Sequence, residues 1–388
     1  MNPAVNSIFK IFTTAKLYDY AHPWQSGIGH FIGTGFCISP NGKKKFILTN
    51  YHVIEDGVKI TCESQPLEVI YGNKLLDLAL LSCPKHAEPL EFGVIKTGEN
   101  CWLQGFPLQM HGRGLTVTEG IVSKLTKFDF GLAKHLSFEV TAQMNPGNSG
   151  GPLFNAAGRV CGVAYAGNIK YNKNYVIPFF LVDYFLKHSG PAFIVSPKIS
   201  WQPLPGQKGL LLDRQHQVKF LNGLEIHEEA QINLGDLLKL LGYKCGGSEM
   251  ITFKYALPLL PHPEFTTRDK KKISIEMVKT EITFTPPMWY IFGGWVFVPI
   301  THSYNAAVGA NFPYGHVRIS EIFENEFTVH YARYRCEILN VKWNDFIPQL
   351  KSLSKPLRVP LLSNPHIDII FQPGEEKFTE DSLKIINF

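Results

Sequence analysis

A chain of 388 residues, 45% apolar, 13% aromatic and 18% charged, holds enough apolar material for two or three cores at roughly 100–200 residues per domain. It is too apolar to be disordered throughout. Its 38 basic and 33 acidic residues leave a net charge of +5 with no clustered basic face, which excludes a strong nucleic-acid footprint. The two basic triplets, Lys43 to Lys45 and Lys270 to Lys272, sit beside turn-like stretches and read as solvated.

At the N-terminus the apolar stretch around Ile8 and Phe9 is broken by Lys10 and again by Thr13 and Thr14, so no secretory signal is expected. From Ser26 to Tyr184, short runs of Val, Ile, Leu, Phe and Tyr alternate with glycine, proline and asparagine turns, as in GTGFCISPNGKKKFILTNYHVI and LTVTEGIVSKL. This spacing predicts an antiparallel β-barrel or sandwich. A helix is expected over Pro178 to Lys187, stopped at Gly190-Pro191, which marks a domain boundary.

Residues 196–285 carry weaker strands and one helical pattern, Leu234, Leu237, Leu238 and Leu241 before Gly242. Residues 286–388 repeat that order: the strands VRISEIF and RCEILNV, a helix over Asp345 to Leu350, then the strand IDIIF. The run from Trp289 to Ile300 contains Gly293-Gly294 and is too short to span a bilayer. It reads as one buried strand, and membrane association is not expected.

Seven cysteines, Cys37, Cys62, Cys83, Cys101, Cys161, Cys245 and Cys336, are widely spaced without a C-x-x-C pair and read as reduced and buried. His227-Glu228-Glu229 lacks the second histidine of H-E-x-x-H. No metal site or cofactor is expected, and no calcium or nucleotide motif is present.

The most informative stretch is Asn145 to Leu153, NPGNSGGPL. Its glycines permit a tight turn that exposes the Ser149 hydroxyl, and the Gly147 and Ser149 amides could converge on a developing oxyanion. A serine nucleophile needs an imidazole to take its proton and a carboxylate to fix the imidazole tautomer. His52, in LTNYHVI, ends a strand and enters a turn at Glu55-Asp56-Gly57; Asp77 opens the apolar strand LDLALL. The order His, Asp, Ser is the chymotrypsin order. Gly147 to Gly151 also matches G-x-S-x-G, the elbow of α/β-hydrolases, but Pro152 and the strand-like VCGVAY after it are poor material for the elbow helix.

The segments TNYHVI, LLDLALL and NPGNSGGPLF resemble the three catalytic segments of the HtrA/Deg family of trypsin-like serine proteases, over about residues 26–187. HPWQ at 22–25 and WYIFGGWVFVPIT at 289–301 are similar to plant Deg proteases with two PDZ-like modules. The resemblance implies a mainly β chain: a chymotrypsin/trypsin-like double β-barrel over 1–190, then two PDZ-like α+β modules over 191–285 and 286–388. It implies a serine endopeptidase with Ser149 as nucleophile, His52 as base and acid, Asp77 as its orienting group, and Gly147 and Ser149 amides as oxyanion hole. It also implies substrate contacts at Asn148 and at Ala166, Gly167 and Asn168, the last three opening a mobile loop that runs on to Lys170. Tyr51 departs from the small residue or histidine usual before the catalytic histidine.

The first PDZ-like module lacks a clear carboxylate-binding loop; Lys208 to Leu212 is the candidate. Expected partners are protein or unfolded polypeptide substrates and further copies of the chain, a trimer first, because the aromatic residues of YDYAHPWQ resemble the family's trimer contacts. The other reading of that segment, which carries His22 beside His30, is a cover for the barrel. An alternative function is a chaperone-like or scaffolding polypeptide binder with a latent triad. The tail GEEKFTEDSLKIINF resembles C-terminal translocation signals of bacterial type IV effectors, which would make the chain cytoplasmic as synthesised and then delivered to act on a host protein; a solvated tail is the other reading.

Overall fold

The computed structural model describes residues 6–20, 22, 26–108, 114–130, 133–168, 173–188, 193–197, 200–212, 216–243, 250–260, 262–273, 276–281, 287–323 and 331–371. The chain gathers into two compact units, Met1–Ala15 with Gly29–Ile282, and Lys16–Ile28 with Thr283–Phe388. Pro23 to Gln25, Ile169, Lys170, Gly190-Pro191, Cys245 and the tail from Gly374 fall outside the described residues.

The first sheet is built from β1 (Ile8–Tyr18), β2 (Ser26–Ile38), β3 (Phe46–Thr49), β4 (Gly57–Cys62), β5 (Gln65–Pro66), β6 (Val69–Asn73) and β7 (Leu78–Leu81), in the order β5-β4-β1-β2-β3-β7-β6. β1 lies upstream of the strands expected from the sequence. Its alternation is real: Ile11, Thr13 and Ala15 are buried while Phe12 and Lys16 are exposed, the period-2 arrangement of a half-buried strand. Phe9, Ile11, Cys37, Ile47, Ile60 and Cys62 fill the core of this half.

The second sheet is a closed barrel of β8 (Asn100–Gly105), β9 (Thr116–Phe130), β10 (Ala133–Val140), β11 (Pro152–Phe154), β12 (Val160–Asn168) and β13 (Lys173–Pro178), ordered β10-β13-β12-β11-β8-β9. Closure leaves these strands no free edge. The helix expected after it is α2 (Phe179–Lys187), whose Phe180, Leu181, Val182 and Phe185 are buried.

Within the same unit follow β14 (Phe193–Pro197), β15 (Trp201–Pro203), β16 (Leu210–Leu212), β17 (His216–Val218) and α3 (Leu234–Leu240). The Asn233 side chain accepts from the Asp236 amide at the start of α3, and Leu234, Leu237 and Leu238 are buried. Phe179 of α2 meets Tyr243 edge to face, ring centroids 5.5 Å apart, and the Tyr243 hydroxyl bonds Asp183. β16 lies between β15 and β17. Both its edges are paired, so Lys208 to Leu212 offers no edge onto which a peptide strand could add.

In the second unit, strands Tyr290–Phe292, Trp295–Pro299, His316–Ile322 and Ile338–Lys342 form one sheet in that order, with α4 (His302–Val308) and α5 (Trp343–Lys351). The run from Trp289 to Ile300 is therefore a hairpin rather than one strand. Gly293 (φ 55°) and Gly294 (φ 89°) form its turn, the left-handed pair that a two-residue hairpin loop requires. Trp295, Phe297, Phe346 and Phe371 form the aromatic core, with Trp295 to Phe371 centroids at 5.3 Å and Phe297 to Phe346 at 5.0 Å. Trp295 is 1% exposed, and Trp295→Ala is expected to destabilise this unit by about 3–5 kcal/mol. Chemical denaturation followed by circular dichroism would register this as an earlier transition.

Among the described residues no helix is long and apolar enough to cross a membrane, and no cluster of potential metal ligands occurs. Cys37, Cys62, Cys101 and Cys161 are buried, as expected. Cys83 is half-buried and Cys336 exposed, because Cys83 has left β7 and Cys336 precedes the Ile338–Lys342 strand.

Candidate active site

β3 pairs antiparallel with β7, Thr49 opposite Ala79. Continuing that register by two residues puts Asp77 level with Tyr51, beside His52. His52 does not simply end a strand; it lies in a single helical turn, α1 (Tyr51–Ile54). The Asp77 carboxylate grips it twice, accepting the His52 amide at 2.9 Å and its Nδ1 at 2.7 Å. Because a carboxylate only accepts, Nδ1 carries the proton and Nε2 is left as an acceptor. Buried Asn50 donates its Nδ2 to the Asp77 carbonyl at 2.9 Å, fixing the residue at its left-handed φ of 53°. Burial opposes the imidazolium, but Asp77, by charge and hydrogen bond, and then Glu55 prevail, so the His52 pKa lies above its ordinary value.

Ser149 sits in the turn between β10 and β11. The Ser149 carbonyl accepts from the Thr34 amide at 2.8 Å, and the Gly150 amide donates to the Ala164 carbonyl at 2.8 Å. Thr34, on β2, is the clamp. Its hydroxyl donates to the Gly147 carbonyl at 2.7 Å and accepts from the Phe106 amide at 3.0 Å.

The Pro146 carbonyl accepts from the Leu108 amide at 2.6 Å. In a trans peptide the carbonyl and the following N–H point in opposite directions. The Gly147 N–H is thereby turned away from Leu108, and among the described residues neither it nor the Ser149 amide donates a hydrogen bond. Gly147 has φ 99°, and a Cβ there would collide with the Phe106 carbonyl and lie 2.9 Å from the Leu108 nitrogen. Only glycine fits.

His52, Gly147 and Ser149 face one cavity of about 480 Å³, whose walls include Phe12, Phe31, Leu108 and Lys59. The Ser149 hydroxyl donates to the Tyr165 carbonyl at 3.3 Å. Rotation about its Cα–Cβ bond between staggered wells re-aims the oxygen.

Ala166, Gly167 and Asn168 extend β12 and pair with Tyr175, Asn174 and Lys173 after a bulge at Tyr165; they are strand, where a loop was expected. Asn148 shares the serine turn, yet it is 2% exposed, and a Cβ on Gly105 would lie 2.8 Å from its Oδ1. Neighbouring turn residues face opposite ways, so this side chain points inward and does not line the cavity. Thr34, Asn50, the Leu108 amide and the Tyr165 carbonyl are the groups that motif reasoning missed. Thr34→Val keeps the shape and removes the hydroxyl from both bonds, with an expected loss of about 1–3 kcal/mol. A lower urea midpoint at unchanged m would show it.

Residues 33–163 match the family model described as a trypsin-like peptidase domain. The chain carries a trypsin-like peptidase domain. His52, Asp77 and Ser149 all fall inside it. Beyond the domain, Protease Do-like 2, chloroplastic, of Arabidopsis thaliana is 34% identical over 199 residues, 47% of this chain and 32% of that relative. Protease Do-like 4, mitochondrial, of the same plant is 27% identical over 352 residues, 78% of this chain and 66% of the relative. A solved HtrA-type protease, AlgW with decapeptide, matches at 18% identity with a TM-score of 0.48, over 73% of this chain and 100% of that one. The chain spans about a third to two thirds of the length of the two plant relatives.

Proposed function

We propose that the peptidase domain is a serine endopeptidase working through an acyl-enzyme. The observation that carries this reading is the double grip of Asp77 on His52 beside one cavity that also holds Ser149, with two amides, of Gly147 and Ser149, that donate no hydrogen bond among the described residues. His52 Nε2 takes the Ser149 proton as Oγ attacks the scissile carbonyl carbon. The oxyanion forms against the Gly147 and Ser149 amides. His52 then protonates the departing amine as the C–N bond breaks, leaving an ester on Ser149. Water, deprotonated by His52, cleaves the ester, releasing the acid and restoring the serine.

The test is fluorophosphonate labelling located by peptide mass spectrometry. Labelling at Ser149 that disappears in His52→Ala is the expected result. An unlabelled Ser149, or labelling indifferent to His52, overturns the reading.

The base must be neutral to act, and Asp77 holds the His52 pKa above 6.5. The acid limb of kcat/KM is therefore expected at a midpoint above 6.5, with activity rising as pH increases through it. Asp77→Asn should lower kcat by about 10⁴ and shift that limb to lower pH. A pH-rate profile of both chains checks this.

A second reading, a polypeptide binder with a latent triad, is favoured by the hydrogen bond from the Ser149 hydroxyl to the Tyr165 carbonyl rather than to His52. The paired edges of β16 count against peptide capture at Lys208 to Leu212. A homo-oligomer, a trimer first, belongs to the proposal; exposed Leu17 and Ile28, at 45% and 70%, are apolar side chains that an assembly would cover. Light scattering giving a monomer mass would remove it.

A further inference from the structure

We propose that Cys37 and Cys83 are a redox site that closes to a disulfide by exchange with a low-molecular-weight disulfide of the glutathione class. The two residues are 46 positions apart in sequence, yet their sulfurs lie 3.5 Å apart, with the Cys83 thiol donating to Cys37. Cys37 is 0% exposed at the end of β2. Cys83 is half-buried, two residues beyond β7, so reagents reach the pair through Cys83. Among the described residues no other two sulfurs are in hydrogen-bond contact.

The electrostatics give the two thiols different roles, Cys37 as the thiolate and proton acceptor and Cys83 as the point of entry. The hydrogen bond from Cys83 holds the Cys37 pKa down; burial opposes this and Lys45 assists. The same bond, then burial, raises the Cys83 pKa. Lys45 is fixed nearby by donating to the Ala87 carbonyl at 2.6 Å. Burial instead pushes the Cys62, Cys101 and Cys161 thiols up to about 12, which leaves them inert.

In the first step Cys83 passes its proton across their hydrogen bond to the Cys37 thiolate and attacks one sulfur of the small disulfide, forming a mixed disulfide and expelling one thiolate, which takes that proton from Cys37 and frees it as a thiolate. The Cys37 thiolate then attacks the Cys83 sulfur, forming the Cys37–Cys83 bond and expelling the second thiolate. Two electrons pass from the protein dithiol to the reagent, and the two protons lost from the protein leave on the two small thiols.

The bond closes a ring around the segment from Cys37 to Cys83, which contains both His52 and Asp77. The chain thereby gains a covalent frame for the imidazole–carboxylate pair, and the ring adds the stabilisation typical of loop closure.

The experiment uses the full chain, reduced and then treated with oxidised glutathione, followed by alkylation and a non-reducing digest. The expected result is a peptide joining Cys37 to Cys83, a loss of two titratable thiols to that link, and glutathione retained on exposed Cys336, which has no sulfur partner among the described residues. In Cys37→Ala, glutathione should remain on Cys83, because nothing displaces it. The proposal is overturned if wild-type Cys83 stays glutathionylated without resolving, or stays free when Cys336 is fully modified. The wild-type readout decides the matter even if the variant folds poorly, and it needs no hydrolytic activity.

Discussion

Ser149→Ala is expected to lower kcat for a cleaved peptide by about 10⁶ while leaving the unfolding free energy within about 0.5 kcal/mol of wild type. Among the described residues the Ser149 side chain makes one bond, to the Tyr165 carbonyl at 3.3 Å. The contacts that hold its turn do not use the Ser149 side chain: the Thr34 amide to the Ser149 carbonyl and the Gly150 amide to the Ala164 carbonyl, each at 2.8 Å, and the Thr34 hydroxyl to the Gly147 carbonyl at 2.7 Å. Removing Oγ deletes the nucleophile and leaves these bonds in place. His52→Ala should lose about as much, because a triad acts as one unit and the double mutant loses little more. Single-turnover hydrolysis of a peptide ester by all three variants measures this. Additive losses would mean that Ser149 and His52 act separately.

Gly150→Ala should lose activity by a different route. Gly150 has φ 86°, and a Cβ there would overlap the Thr34 carbonyl oxygen and the Thr49 hydroxyl. The left-handed backbone costs an alanine about 1–2 kcal/mol and overpacking adds about 1–3, so a total of about 2–5 kcal/mol is expected. The overlap falls on the bond from Thr49 Oγ1 to the Thr34 carbonyl, 2.7 Å long, and Thr34 in turn holds Gly147. Labelling at Ser149 should therefore fall together with stability, whereas Ser149→Ala separates the two. Urea unfolding beside labelling tells them apart, and a stable but unreactive Gly150→Ala chain would show that the clamp is not the weak point.

The catalytic segments were legible because their chemistry needs fixed residue types in short contiguous strings around His52, Asp77 and Ser149. The helices α2, α3 and α5 were legible because each buries a run of apolar side chains at helical spacing. The rest depends on backbone and on long separations. Thr34 acts on Gly147 across 113 positions through one hydroxyl, and nothing in GTGF announces that partner. α1 is four residues long, too short to show a helical period. β1 was missed because its lysines and threonines interrupt what an apolar count registers, although they occupy alternate or shielded positions. Gly293-Gly294 was read as an interruption of one strand, when paired left-handed glycines between apolar runs signal a hairpin. The contact of Cys37 with Cys83 joins β2 to the segment after β7, which no spacing rule reaches.

The Thr34 clamp also bears on biosynthesis. Thr34, His52 and Asp77 leave the ribosome well before Ser149, and the peptide geometry around Gly147 depends on a hydroxyl from the first sheet reaching a turn of the second. A nascent chain with only its first half folded holds a base and its carboxylate but no nucleophile. One with an undocked second half holds a serine whose neighbouring amides are not yet aimed. Cutting power, on this account, belongs to neither half alone and waits for the second sheet to dock on the first.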